Sequence, residues 1–232
     1  MNKDGQDPVL LYVHLSWSQR GLPIRYNITM RMRKKKWVKP FLEEENRYLL
    51  RDTEKIKSDR PLYLEIGMGM GDFITASARD HKDISYIGLE KDETCVARAI
   101  KKAEEYKLDN LRIILVNADQ LEEYFDEKSI DRIYLHFSDP WPKKAHHKRR
   151  LTYPSFLKIY KKVLKDEGDS IFKTDNEDFF RVSLDYFKEA QLIVHDISTD
   201  YHKEPHNEPL TAYEAKFKDT GKPINYARLT KM

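Results

Sequence analysis

The chain has 232 residues, 35% of them charged, a formal net charge of +3 and a single cysteine. That length suits one substantial domain and not two. Cys95, being alone, excludes an intrachain disulfide and a cysteine-based metal cluster, and no apolar run approaches the roughly twenty residues of a bilayer span. The early run V-L-L-Y-V-H-L is short and broken by His14, so no secretory signal is read and a cytoplasmic protein is expected.

Residues 1–29 show no helix of any length and no strand paired by a turn, and are read as a dispensable upstream extension. Met30 then opens M-R-M-R-K-K-K-W-V-K-P-F, the start of a basic segment taken over 30–60, ahead of a main domain at 61–232. Lys143 to Arg150 form a second basic cluster. A small net charge with local cation patches suits nucleic-acid binding at one face; either patch alone would equally suit a solubilising surface.

From Leu62 short apolar runs alternate with amphipathic stretches. Strands are expected at 62–66, 85–89, 112–116, 131–137 and 169–174, with helices at 73–80, 93–106, 153–165 and 178–189. Val96, Ala99, Ile100 and Ala103 recur at helical spacing with Lys and Glu opposite, and Cys95 joins them as a small core residue. Leu192 to Ile197 and Ile224 to Thr230 read as closing strands around a polar loop at about 199–211, of the kind that carries binding function. The alternation predicts an α/β fold with a parallel sheet and right-handed crossovers.

The first strand runs into a glycine turn, L-Y-L-E-I-G-M-G-M-G-D at 62–72. Gly67, Gly69 and Gly71 allow a sharp turn with no side chain between backbone and a nucleotide-like ligand. The spacing is G-x-G-x-G, since Asp72 occupies the place of the last dinucleotide-motif glycine. Glu65 ends the first strand, and Glu90 closes the next one about twenty residues on, where a ribose-binding acid is expected. Acids flanking the turn disfavour a pyrophosphate, which wants a helix N-terminus free of negative charge. S-adenosylmethionine, with its sulfonium and ammonium, fits better, so a methyltransferase leads and an NAD enzyme trails.

Ser138 to Arg150, S-D-P-W-P-K-K-A-H-H-K-R-R, follows the strand at 131–137 and places an acid, a tryptophan and a basic run where an α/β sheet builds its site. Read alone, this is as much a turn and a solvated loop as a site. His146 and His147 lie among cations that would repel a metal, so no metal site is expected.

With these residues in view, the chain resembles the bacterial tRNA (guanine-N7-)-methyltransferase family. The likeness rests on M-R-M-R-K-K-K-W at 30–37, L-E-I-G-M-G-M-G at 64–71, Y-I-G-L-E at 86–90 and H-F-S-D-P-W-P-K-K at 136–144. It continues through H-K-R-R-L-T at 147–152, F-K-T-D-N at 172–176 and T-A-Y-E at 211–214. The resemblance implies a Rossmann-like class I methyltransferase with a central, mostly parallel seven-stranded sheet flanked by helices. It implies methyl transfer from S-adenosylmethionine to N7 of the guanosine at position 46 in the tRNA variable loop, by a monomer or homodimer. The implied cofactor residues are Glu65, Gly67, Gly69, Glu90, Asn117 and Asp139; many relatives carry an acid where Asn117 stands, and Asp119 is close by to share its task. The implied substrate residues are Lys143, Asp175, Thr211 and Glu214, with Ala145, His146, His147, Lys148, Arg149 and Arg150 touching RNA.

Guanine N7 carries an in-plane lone pair, so the reaction needs alignment and charge stabilisation and no proton-abstracting base. Asp139 is the expected catalytic carboxylate, set against the positive charge that develops on the base. Asp139, Asp175 or Glu214 would accept from the guanine N1–H and 2-amino group; Asp175 and Asn176 would equally suit a helix cap. A flipped guanosine is expected, with Trp141 stacking on it or packing behind it. Two other readings stay open: methylation of an exocyclic amine, and a non-catalytic RNA-binding protein of the same fold.

Overall fold

The computed structural model describes residues 35–51, 54–203, 208–211, 213–215 and 221–232. The proposed extension at 1–29 and the start of the basic segment lie outside the described residues.

Each expected strand and helix from Leu62 onward is present. In chain order they are α1 (Val38–Glu43), β1 (Leu49–Leu50), β2 (Leu62–Ile66), α2 (Asp72–Asp80), β3 (Ser85–Glu90), α3 (Glu93–Glu105), β4 (Leu111–Leu115), α4 (Leu121–Tyr124), β5 (Ile130–His136), α5 (Pro154–Val163), β6 (Leu164–Thr174), α6 (Glu177–Glu189), β7 (Leu192–Ser198) and β8 (Asn225–Lys231). Local chemistry fixes several starts. The Asp92 carboxylate accepts from the Thr94 and Cys95 amides and opens α3, Pro154 sits in the first turn of α5, and the Asn176 side chain accepts from Phe179 N at 2.8 Å to open α6.

The sheet runs β1-β4-β3-β2-β5-β6-β8-β7. All pairings from β1 to β6 are parallel, and β8 is antiparallel to both its neighbours. Eight strands replace the expected seven. The addition is β1, two residues pairing Leu49 with Ile113 at the sheet's edge, too short for any periodicity to show. β6 also begins five residues ahead of the expected 169, because Leu164 already pairs with Ile130 before a register shift. At that irregularity a Cβ on Gly168 would lie 2.8 Å from the Asp131 carbonyl, so the close approach requires glycine.

Apolar layers cover both faces. One gathers Leu64, Leu135, Phe172 and Phe179, the other Phe73, Ile74, Ile100 and Tyr134. No described helix is long and apolar enough to cross a membrane. The chain winds outward from β2 through β3 to β4, then returns to β5 on the other side of β2. Such a reversal opens a crevice at the carboxyl ends of the central strands, and every loop singled out from the sequence leaves from that end.

Candidate active site

The turn after β2 is built from three left-handed glycines, Gly67, Gly69 and Gly71. Leu89 O accepts from Gly67 N at 2.8 Å and from Met68 N at 3.2 Å, so the turn is tied across to β3. A Cβ on Gly71 would lie 2.7 Å from Ala99 Cβ, where α3 packs; one on Gly69 would meet nothing within 4 Å. The lip of the turn is therefore open space faced by backbone. Glu90 stands at that lip. Its Oε2 accepts from Gly69 N at 3.1 Å, and its Oε1 from the amides of Lys91 and Asp92 at 2.7 and 3.0 Å. A carboxylate held this way keeps lone pairs for two ribose hydroxyls.

Glu65 is buried at the tip of β2. Its Oε1 lies 3.6 Å from His136 Nδ1 on neighbouring β5, and its Oε2 has no hydrogen-bond partner among the described residues. Burial pushes this carboxyl well above the usual range, with Asp72, Glu90 and Glu214 acting in the same sense and Lys173 against them. Burial, helped by Lys173, holds the His136 imidazole well below its ordinary value. A buried orphan acceptor beside an acid-rimmed glycine turn suits a ligand group that is cationic and donates hydrogen bonds. The ammonium and sulfonium of S-adenosylmethionine meet that description; a pyrophosphate would not. Asn117 follows β4 at the same end, exposed, with its backbone N–H 3.4 Å from the Gln120 Oε1 that accepts from it.

The S-D-P-W segment leaves β5 under constraint. Phe137 and Trp141 both adopt positive φ, 47° and 41°, and bracket Ser138, Asp139 and Pro140. For aromatic residues that conformation costs on the order of 1–3 kcal/mol each, and the surroundings enforce it. Lys173 O accepts from Phe137 N at 2.9 Å, and Arg150 donates from Nε to Pro140 O at 2.7 Å. Arg150 thus departs from the expectation of an RNA contact. It is buried, with a second donation to Trp141 O and its guanidinium over the Phe179 ring, so it clamps the loop from inside. Lys143, Lys144, Lys148 and Arg149 remain exposed beside Ala145 and the half-buried His146 and His147. Arg149 lies 5.0 Å from the Trp141 ring centroid and His146 stands edge-on to it, which places Trp141 among the basic rim and leaves Asp139 exposed in front.

Beyond β6, Asp175 pairs with Lys222 while Asn176 performs the helix capping. Thr211 and Glu214 form a reciprocal box: Thr211 N donates to Glu214 Oε2 at 2.9 Å, and Glu214 N to Thr211 Oγ1 at 3.0 Å. Glu214 is wholly buried, with Oε1 3.3 Å from Lys173 Nζ. As one of the three acids offered for the guanine edge it departs from expectation, since it lies inside the turn, engaged at both oxygens. What the turn presents outward is Tyr213, 43% exposed, its ring parallel to Phe137 with centroids 5.6 Å apart. Burial, with Asp139 and Asp175 close by, raises the Tyr213 hydroxyl. Lys173, His136 and Tyr213 carry no individual role in the sequence, although each lies within a family motif: F-K-T-D-N, H-F-S-D-P-W-P-K-K and, in the substrate loop Thr211 to Glu214, T-A-Y-E.

A family model described as "Putative methyltransferase" matches residues 59–227. A tRNA (guanine-N(7)-)-methyltransferase of Staphylococcus carnosus is 41% identical over 203 residues, covering 84% of this chain and 96% of its relative. One from Geobacillus sp. strain WCH70 is 43% identical over 204 residues, covering 84% and 93%. Among solved structures, a SAM-dependent methyltransferase from Aquifex aeolicus superposes with a TM-score of 0.54 at 13% identity, over 75% of this chain and 85% of that one, a likeness of fold. Glycine turn, Glu90 and D-P-W loop thus stand on a sheet of this kind, and at such identity over nearly the whole length of both relatives the chain belongs to the tRNA (guanine-N(7)-)-methyltransferase family.

Proposed function

We propose that this chain transfers the methyl group of S-adenosylmethionine to N7 of guanosine 46 in the variable loop of tRNA, with Asp139 as the carboxylate facing the reacting base. The observation that carries the reading is the meeting, at one crevice, of the open Gly69 turn and the partnerless Glu65 oxygen with the constrained Asp139 segment.

When bound, S-adenosylmethionine supplies an electrophilic methyl group on a sulfonium. Glu90 would hold the ribose, Glu65 the ammonium, and Asn117 the adenine edge, with Asp119 two residues on. No residue need remove a proton, since N7 presents its lone pair in the plane of the ring. Asp139 counters the positive charge that grows on the base, and the half-buried Asp175, paired with Lys222, is the acid left for the N1–H and 2-amino donors of guanine. Adenine lacks those donors and would leave a carboxylate unpaired. Lys143, Lys144, Lys148 and Arg149 hold phosphates, with Ala145, His146 and His147 completing the RNA face, and we place the enzyme in the cytoplasm with its tRNA.

Labelled S-adenosylmethionine offered with unmodified tRNA should give N7-methylguanosine, and a transcript carrying adenosine at position 46 should give none. Equal label in both transcripts would overturn the assignment. The same assay on a chain beginning at Met30 tests the dispensable extension; transfer and thermal melting are expected to match the full chain.

A further inference from the structure

Lys173 is wholly buried on β6, the strand that ends at Thr174, just before Asp175. Its ammonium donates to Glu208 Oε2 at 2.9 Å and to Glu214 Oε1 at 3.3 Å, and sits 4.2 Å from the centroid of the Tyr201 ring. Glu208 Oε2 also accepts from the Tyr201 hydroxyl at 3.2 Å, and His202 Nε2 lies 3.9 Å from Glu214 Oε1. One cation therefore stands between two carboxylates, with the His136 imidazole on neighbouring β5 and Glu65 on β2, one strand further. The same residue reaches the D-P-W loop through its backbone, since Lys173 O accepts from Phe137 N. Phe137 and Tyr213 are the two rings of the stack, and Tyr213 precedes Glu214 directly.

We infer that Lys173 is a positioning residue for the base-receiving edge of the site: its carbonyl fixes Phe137, its ammonium fixes the Thr211–Glu214 turn, and the two rings are thereby held face to face beside the D-P-W loop. The inference rests on the reading of that turn as substrate-facing. Its physical basis is charge. Glu214 gives one oxygen to its own turn and the other to Lys173, so an uncharged side chain at 173 leaves the wholly buried Glu214 without its cation, opposed by Glu65 and beside the partly exposed Glu208. Removing one partner of a buried ion pair is strongly destabilising; Glu214, on a surface turn, relieves that by moving to water, and Tyr213 moves with it. An ion pair between β5 and β6 supplies the contrast. Arg132 and Asp169 pair through two hydrogen bonds at the other end of β5 and β6, away from every residue of the site.

The test compares full-length wild type with Lys173→Met, Lys173→Arg and Arg132→Met. Amide hydrogen exchange, read without any substrate, should rise over 208–215 and at Phe137 in Lys173→Met while β2 to β4 stay protected. S-adenosylmethionine affinity by calorimetry should remain within about threefold of wild type, while kcat/KM for tRNA falls at least about 30-fold, chiefly through KM. Lys173→Arg should recover part of that loss, and Arg132→Met should lower the melting temperature with kcat/KM kept within about threefold. Exchange that rises throughout the sheet, cofactor affinity that falls in step with kcat/KM, or an unchanged kcat/KM would each overturn the inference. If Lys173→Met does not fold, Lys173→Gln is read in its place, and failure of both to fold would overturn it by making Lys173 a requirement of the whole fold. A wild-type protein without methyl transfer would instead strike the functional reading, leaving the exchange result to be judged separately.

Discussion

Two adjacent arginines show how far a side chain's charge is from deciding its role. Arg149 and Arg150 belong to one basic run, yet the first is exposed over Trp141 and the second is buried beneath the loop, holding two of its carbonyls. Arg149→Ala should therefore weaken tRNA binding, lower the salt slope of the affinity by about one and leave the melting temperature in place. Arg150→Ala removes a buried charged donor and frees a strained loop, so it should cost about 2–3 kcal/mol of stability. Salt titrations of tRNA binding and thermal melts on the same two proteins separate these outcomes. Nothing in H-K-R-R distinguishes the two residues, because burial of an arginine depends on where the preceding turn places its backbone. The same is true of Lys173, which reads as an ordinary strand lysine until its carboxylate partners, 35 and 41 residues away, come into view.

At the level of elements, the strand tips were legible because each combines an apolar run with a conspicuous turn: Glu65 before G-M-G-M-G, Glu90 before an Asp92 cap, Asp139 before proline. The pieces that escaped notice are short or depend on tertiary contact. α1, α4 and β1 span six, four and two residues, below the length at which periodicity speaks, and the Thr211–Glu214 box lies in a stretch read only as polar loop and family motif. The glycine turn offers a test of what its geometry is for. Gly71→Ala forces a Cβ against Ala99 at a left-handed φ, pressing α2 away from α3, and should cost about 2 kcal/mol or more in thermal or urea melts. Gly69→Ala meets no protein atom; its penalty in the free protein should stay near 1 kcal/mol, while S-adenosylmethionine affinity drops at least about tenfold by calorimetry. The opposite ranking would remove the turn from the cofactor site.

For the molecule as a whole, burying Glu65 and His136 side by side makes stability respond to pH in opposing senses. The His136 imidazole is held below its ordinary value of 6.5, so as pH falls through that value the unfolded chain takes up a proton that the folded chain refuses, and stability is lost on the acid side. The Glu65 carboxyl is held above its ordinary 4.5; above that value the unfolded chain ionises while the folded one resists, and stability is lost as pH rises. Between the two the slopes offset. His136→Asn removes the first and keeps the second, so relative to wild type the variant should gain about 1 kcal/mol or more on going from pH 7.5 to pH 5. Urea melts at the two pH values measure that gap, and a constant difference would mean that the imidazole titrates normally in the fold.

The position of β8 bears on how the polypeptide reaches this state. β8 lies between β6 and β7 although it follows both in the chain, and β7 has β8 as its partner strand among the described residues. A nascent chain emerging from the ribosome can assemble β2 through β6 as it is made, each new strand docking on one already present. β7 then waits, its apolar side chains and backbone donors unsheltered, until residues 225–231 have appeared and threaded in as the middle of an antiparallel ribbon. Completion of the sheet thus depends on a strand made after both of its neighbours, and a ribosome stalled before that strand would hold out an adhesive sheet margin where chaperones and neighbouring chains compete for it.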